Sequence, residues 1–169
     1  LGITPWNPHT GLALAWLIRH GPTRAVTLFA AVLAGDVAVR GLSLPWGTLI
    51  AAAAVISAVY TGLATVLKRL FGFDPAFHRT RDVVVLLVGS AAATAIVAMA
   101  LVALFDLSGL LAAADFRQAA LRQWVGDIIG IVVVTPAVLR APSWRAWREV
   151  SGVGRYYLEV ALAATAIAG

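Results

Sequence analysis

Two aspartates stand inside long apolar sequence. Asp36 lies in LAGDVAV and Asp127 in QWVGDIIGIVVVTP. A carboxylate with no water around it needs a donor, a cation or a proton. Left ionised at the centre of a bilayer it costs roughly 2.5–3.5 kcal/mol on insertion scales. A third polar feature precedes the first apolar run. Trp6-Asn7-Pro8-His9-Thr10-Gly11 brings an indole, an amide, a helix breaker, an imidazole, a hydroxyl and a glycine together. These groups suit hydrogen bonding and ligand capture better than bond-breaking. No Gly-x-Ser-x-Gly elbow, His-Glu-x-x-His pair or phosphate loop occurs. Ser43, Ser57, Ser90, Ser108, Ser143 and Ser151 have no base beside them in a local motif. His9, His20 and His78 do not form a pair near mid-membrane, so haem is not expected and no cofactor or metal is assigned. The absence of cysteine excludes disulfides.

The elements that must carry these residues are membrane helices. The chain has 169 residues, 61% of them apolar and only 12% charged, with mean hydropathy +0.89. A soluble domain is about half apolar and a quarter charged. The run from Val83 to Leu104 contains no charged residue and is long enough to cross a bilayer. In hydrocarbon, backbone groups must bond within the structure, which leaves helices or a closed barrel. Runs this long and continuous do not alternate as barrel strands do. The expected fold is therefore all-α, a polytopic transmembrane helix bundle.

Six helical segments are expected, over 8–20, 22–39, 46–70, 81–105, 116–139 and 153–169. Gly21-Pro22, Gly41 with Pro45, Gly72 with Pro75, Asp106 to Gly109, and Pro142 punctuate them. The first is short. From Pro8 to His20 it spans about 20 Å at 1.5 Å per residue, against a hydrocarbon thickness of about 30 Å. Asn7-Pro8 reads as an N-cap followed by proline at the first helical position. Two arrangements follow: a helix start sunk into the membrane beside a polar cavity, or an ordinary interfacial cap with Trp6 in the aromatic belt. Gly126 and Gly130 flank Asp127, and Ala31 with Gly35 lies beside Asp36. Small pairs at this spacing bring helices close, so both acids are expected on packing faces. For Asp127 the alternatives are a ligand site and an interhelical hydrogen bond to a threonine, to Asn7 or to broken backbone. For Asp36 the alternative is exposure near the headgroups.

Lys and Arg set the orientation. Arg40, Arg117 and Arg122 fall in the second and fourth connections; the other ten of the 13 fall in the first, third and fifth. That bias places 19–24, 68–82 and 140–155 in the cytoplasm. The net charge of +5 then needs no nucleic acid, because basic residues at that face meet anionic lipid. Trp144 to Glu149, WRAWRE, reads as a basic segment anchored at the membrane surface.

In order, WNPHTGLALAWLI, AGDVAVRG, GLATVLKRLFGF, RTRDVVVLLVGSAAA and WVGDIIGIVVVTPAVL resemble the membrane-associated sensor domain MASE1. The resemblance covers nearly the whole chain. Trp124, Gly126, Asp127, Gly130 and Pro136 match its most specific motif. Trp6, Pro8 and Gly11 match its Trp-Pro-x-x-Gly start, with one residue inserted before Pro8. Asn7, His9 and Asp36 depart from its usual pattern. MASE1 is the input module of many bacterial histidine kinases and diguanylate cyclases. The resemblance implies about eight spans, so 1–169 is expected to be an excerpt carrying six, truncated at both ends and without its output domain.

Two functions from different classes follow. In the first, a sensory bundle in the bacterial inner membrane binds an unknown small ligand or membrane partner in its outer half. It acts as a homodimer through the full-length protein and has no enzymatic activity of its own. Its expected ligand-binding residues are Trp6, Asn7, His9, Thr10, Asp36, Trp124 and Asp127. In the second, the bundle is the substrate-binding membrane subunit of a vitamin-type importer.

Overall fold

The computed structural model describes residues 6–40, 45–109 and 116–141. Helix α1 spans Pro8–His20. Pro8 opens it because proline lacks the N–H that a first-turn residue would leave unbonded. Gly21 closes it with φ 88, and its N–H donates to the Leu17 carbonyl at 2.8 Å. Arg19 and His20 in the last turn face the negative end of the helix dipole.

Pro22–Arg24 form a single 3-10 turn, and helix α2 spans Ala25–Arg40. The expected helix start at Pro22 is thus three residues early. The tight turn after Gly21 uses up those residues before regular α geometry begins. Helix α3 spans Trp46–Arg69 behind Pro45, and helix α4 spans Thr80–Leu107. Helix α5 spans Phe116–Arg140 and keeps Pro136 inside it. Proline there supplies no N–H to the carbonyl four residues earlier, that of Val132.

These boundaries fall within two residues of expectation at every other described end. The expected segment 153–169 lies outside the described residues, as do the WRAWRE stretch and most of the 140–155 connection. Among the described residues α3, α4 and α5 are the helices long and apolar enough to cross a membrane. At 13 and 16 residues, α1 and α2 rise only about 20 and 24 Å.

The interior is built from Leu14, Leu17 and Ile18 of α1, Leu28 of α2, Tyr60 and Leu67 of α3, Val97 of α4 and Ile131 of α5, all buried. Lipid would meet Val83, Val84, Val88 and Ile96 on α4, which are exposed. The antiparallel α3 and α4 are pinned at one end, where the Thr48 and Ser108 hydroxyls lie 3.1 Å apart. The connection between them folds on itself. Phe73 is buried and meets Phe77 edge to face at 5.3 Å. The Arg81 guanidinium donates to the Phe71 carbonyl.

Candidate functional site

The side chain of Asn7 does not cap α1. It crosses to α5, where its Nδ2 donates to Asp127 Oδ1 at 2.8 Å. The Asn7 main-chain N–H donates to the Gly126 carbonyl at 3.3 Å. One turn on, Thr10 Oγ1 donates to the Asn7 carbonyl at 2.6 Å and lies 3.4 Å from the Asp127 carbonyl. A further turn on, Thr135 Oγ1 donates to the Gly11 carbonyl at 2.9 Å. Helices α1 and α5 therefore run parallel, with Asn7 beside Asp127 and Gly11 beside Gly130.

Two glycines make that approach possible. A Cβ on Gly130 would fall on the Asn7 carbonyl, and one on Gly11 would fall on the Gly130 carbonyl, with Val134 Cβ at 2.8 Å. Backbone meets backbone here, so no rotamer change could make room. The GxxxG around Asp127 thus packs against the start of α1.

Asp127 is fully buried, and every partner presents a donor. Besides Asn7, Tyr60 OH donates to Oδ2 at 3.1 Å. Gln123 Nε2 lies 3.0 and 3.1 Å from the two oxygens. A carboxylate is an acceptor only, with room for about four donors, and this shell fills it from three helices. The acid expected to need a partner has three, and one of them is the expected Asn7.

The level of this cluster along α5 follows from helix geometry. Asp127 stands 11 residues after Phe116, about 16 Å along α5. Because Asn7 bonds at that level, α1 begins beside the middle of α5 and not beside its end. The N-terminal turn that carries Trp6 therefore lies level with mid-α5. Trp6 is exposed there, as is His9 one turn along, within electrostatic reach of Asp127.

The remaining expected residues are placed differently. Trp124 is half-buried and turned onto α4, its Nε1 donating to the Ala91 carbonyl at 2.9 Å. Asp36 is half-buried near the end of α2, a helix other than the three that meet at Asp127. Sequence reasoning missed Tyr60 and Gln123. Gln123 had a signal, since Gln and Asp four apart share a helix face. Tyr60 had a weaker one, as the one phenol in the Ala-rich α3.

The motif Trp124-x-Gly126-Asp127-x-x-Gly130 thus has a structural account: Trp124 holds α4, Gly126 and Gly130 meet the start of α1, and Asp127 bonds both α1 and α3. The MASE1 family profile matches residues 2–165, essentially the whole chain. The chain belongs to the MASE1 family. No curated protein and no solved structure matches it. MASE1 domains are membrane-associated sensor domains of signalling proteins and are non-catalytic input modules. In this MASE1 domain the family motif joins the first and fifth described helices through Asn7 and Asp127 and ties both to α3 through Tyr60.

Proposed function

We propose that this MASE1 domain is the sensory input of a bacterial histidine kinase or diguanylate cyclase, set in the inner membrane with 19–24, 68–82 and 140–155 in the cytoplasm. A small ligand or membrane partner acts on the outer half of the bundle, against Trp6, Asn7, His9, Thr10, Asp36, Trp124 and Asp127. A homodimer of the full-length protein carries the signal to the output domain.

The observation that supports this reading is the meeting of α1, α3 and α5 at one buried carboxylate, with the start of α1 held beside the middle of α5. A stimulus changes the output only if it binds two arrangements with different affinity. Here the two arrangements are α1 docked on Asp127 and α1 released. A ligand that competes for the Asn7 amide or for the carboxylate favours release. The glycine contacts make the choice discrete, because helices touching through backbone have no soft side-chain layer to deform.

The test is the full-length protein in membranes with Asp127→Asn or Asp127→Ala, scored for expression and for kinase or cyclase output together. Altered output at preserved expression is the expected result. Equal loss of both in each variant would reduce Asp127 to a purely structural role.

A further inference from the structure

Most hydroxyls in the described helices are satisfied by carbonyls close by. Thr65 donates to the Thr61 carbonyl at 2.7 Å, Thr94 to Ser90 at 2.7 Å, Ser90 to Leu87 at 3.0 Å and Ser108 to Leu104 at 2.7 Å. Two do otherwise. Ser57 Oγ and Thr61 Oγ1 are both buried and have no hydrogen-bond partner among the described residues. They are one turn apart on the same face of α3. The back-bond to the preceding turn is open to both hydroxyls and neither makes it. A buried donor left unmade is costly, so two such donors side by side point to an acceptor that they share.

The chemistry of that acceptor is constrained in three ways. Helix α3 carries no charged residue from Trp46 through Leu67, and the nearby Asp127 is already filled by Asn7, Gln123 and Tyr60. An ionic guest would have no counter-charge, so the guest is uncharged. Next to Thr61 the helix surface is a lipid-exposed stripe of Ala54, Ala58 and Gly62, with no atom within 4 Å of where a Gly62 Cβ would stand. A flat apolar molecule can therefore lie against this turn from the bilayer side, and the two hydroxyls, buried as they stand, meet it by turning about χ1. Finally, Ser57 and Thr61 stand at least about 12 Å from either end of α3. Phospholipid ester groups sit at the interface, about 15 Å from the midplane of a 30 Å hydrocarbon layer.

We propose that Ser57 and Thr61 form an intramembrane site for an uncharged, hydrocarbon-soluble molecule bearing carbonyl oxygens, of the quinone type. A carbonyl oxygen has two lone pairs and can accept from both hydroxyls. Tyr60 lies between the two positions on the chain and bonds Asp127, so an occupant at Ser57 and Thr61 adjoins the ring that holds α1. The site is distinct from the Asn7–Asp127 contact and does not depend on the sensory reading.

The test is infrared spectroscopy of the full chain in phosphatidylcholine nanodiscs with a decyl-substituted benzoquinone labelled with carbon-13 at its carbonyls. A downshifted carbonyl band that saturates with quinone is expected, with affinity about tenfold weaker in Ser57→Ala/Thr61→Val and restored in Thr61→Ser. The double variant should unfold no more easily than the parent chain, since it removes only unpartnered hydroxyls. A quinone band that grows linearly and identically in parent and variant would mean ordered water only and would overturn the proposal. A shift in the phospholipid ester band with none in the quinone band would overturn it too. Binding is read without any output domain, so failure here leaves the sensory assignment standing, and failure of that assignment leaves the binding result standing.

Discussion

Two aspartates of this chain accept side-chain hydrogen bonds of similar length with opposite consequences. Asp127 is fully buried and takes donors from α1, α3 and its own helix at 2.8–3.1 Å. Asp74, in the connection between α3 and α4, takes the Ala76 N–H at 2.9 Å and pairs with His78 Nδ1 at 2.6 Å. Asp74 and His78 are both exposed enough for water to replace either bond. The lengths of the bonds do not separate the two sites. What separates them is the number of helices each joins and whether solvent can substitute. One carboxylate shapes a loop, and the other decides where a helix begins.

The sharpest way to break this contrast lies beside Asp127. Gly130→Ala places a methyl on the Asn7 carbonyl. It should destabilise the α1–α5 contact by roughly 3 kcal/mol, seen as earlier unfolding in a mixed-micelle denaturant titration. Next comes Asp127→Ala, which leaves the Asn7, Gln123 and Tyr60 donors unpaired and should cost about 2–3 kcal/mol in the same titration. Tyr60→Phe removes a single donor and should cost about 1 kcal/mol. Combined with Asn7→Ala it should show coupling, because both residues bond the same carboxylate.

The smallest effect belongs to the exposed site. The His78 hydrogen bond, with help from the Ala76 N–H, holds the Asp74 carboxyl below its ordinary range. A carboxyl lowered in the folded state contributes order above its unfolded pKa and loses it as pH falls through the lowered value. Amide exchange at Ala76 should therefore speed up only in acid below the ordinary carboxyl range, and Asp74→Asn should leave the unfolding titration unchanged. A loss of stability in Asp74→Asn comparable to that of Asp127→Ala would erase the distinction between the two sites.

Much of this was legible in the residues, for reasons that differ by element. Hydropathy length marks α3, α4 and α5 because bilayer thickness sets it. Proline and glycine mark the bounds of α1 because each removes or frees one backbone option. The partnership of Asn7 with Asp127 was one of several open choices. Nothing local says which of two distant helices a carboxylate will face, and the glycines that permit the contact lie on both. Tyr60 stood out as the one phenol of α3, but its partner was hidden for the same reason, since its role depends on how α3 turns relative to α5. The start of α2 at Ala25 was missed because a 3-10 turn and an α-turn share the same residue preferences near proline.

The start of α1 lies level with the middle of α5, and its depth in the bilayer can be measured. The chain has no cysteine, so single spin labels report without background. Trp6, Val125 and Arg117 are all exposed and can be labelled without touching the Asp127 ring. With each changed to cysteine in turn, accessibility to oxygen against a polar relaxant gives its depth in the bilayer. The label at Trp6 should match the depth at Val125 and lie about 12 Å deeper than the label at Arg117, eight residues earlier on α5. A Trp6 label at the depth of Arg117 would put the start of α1 at the membrane surface and contradict the account.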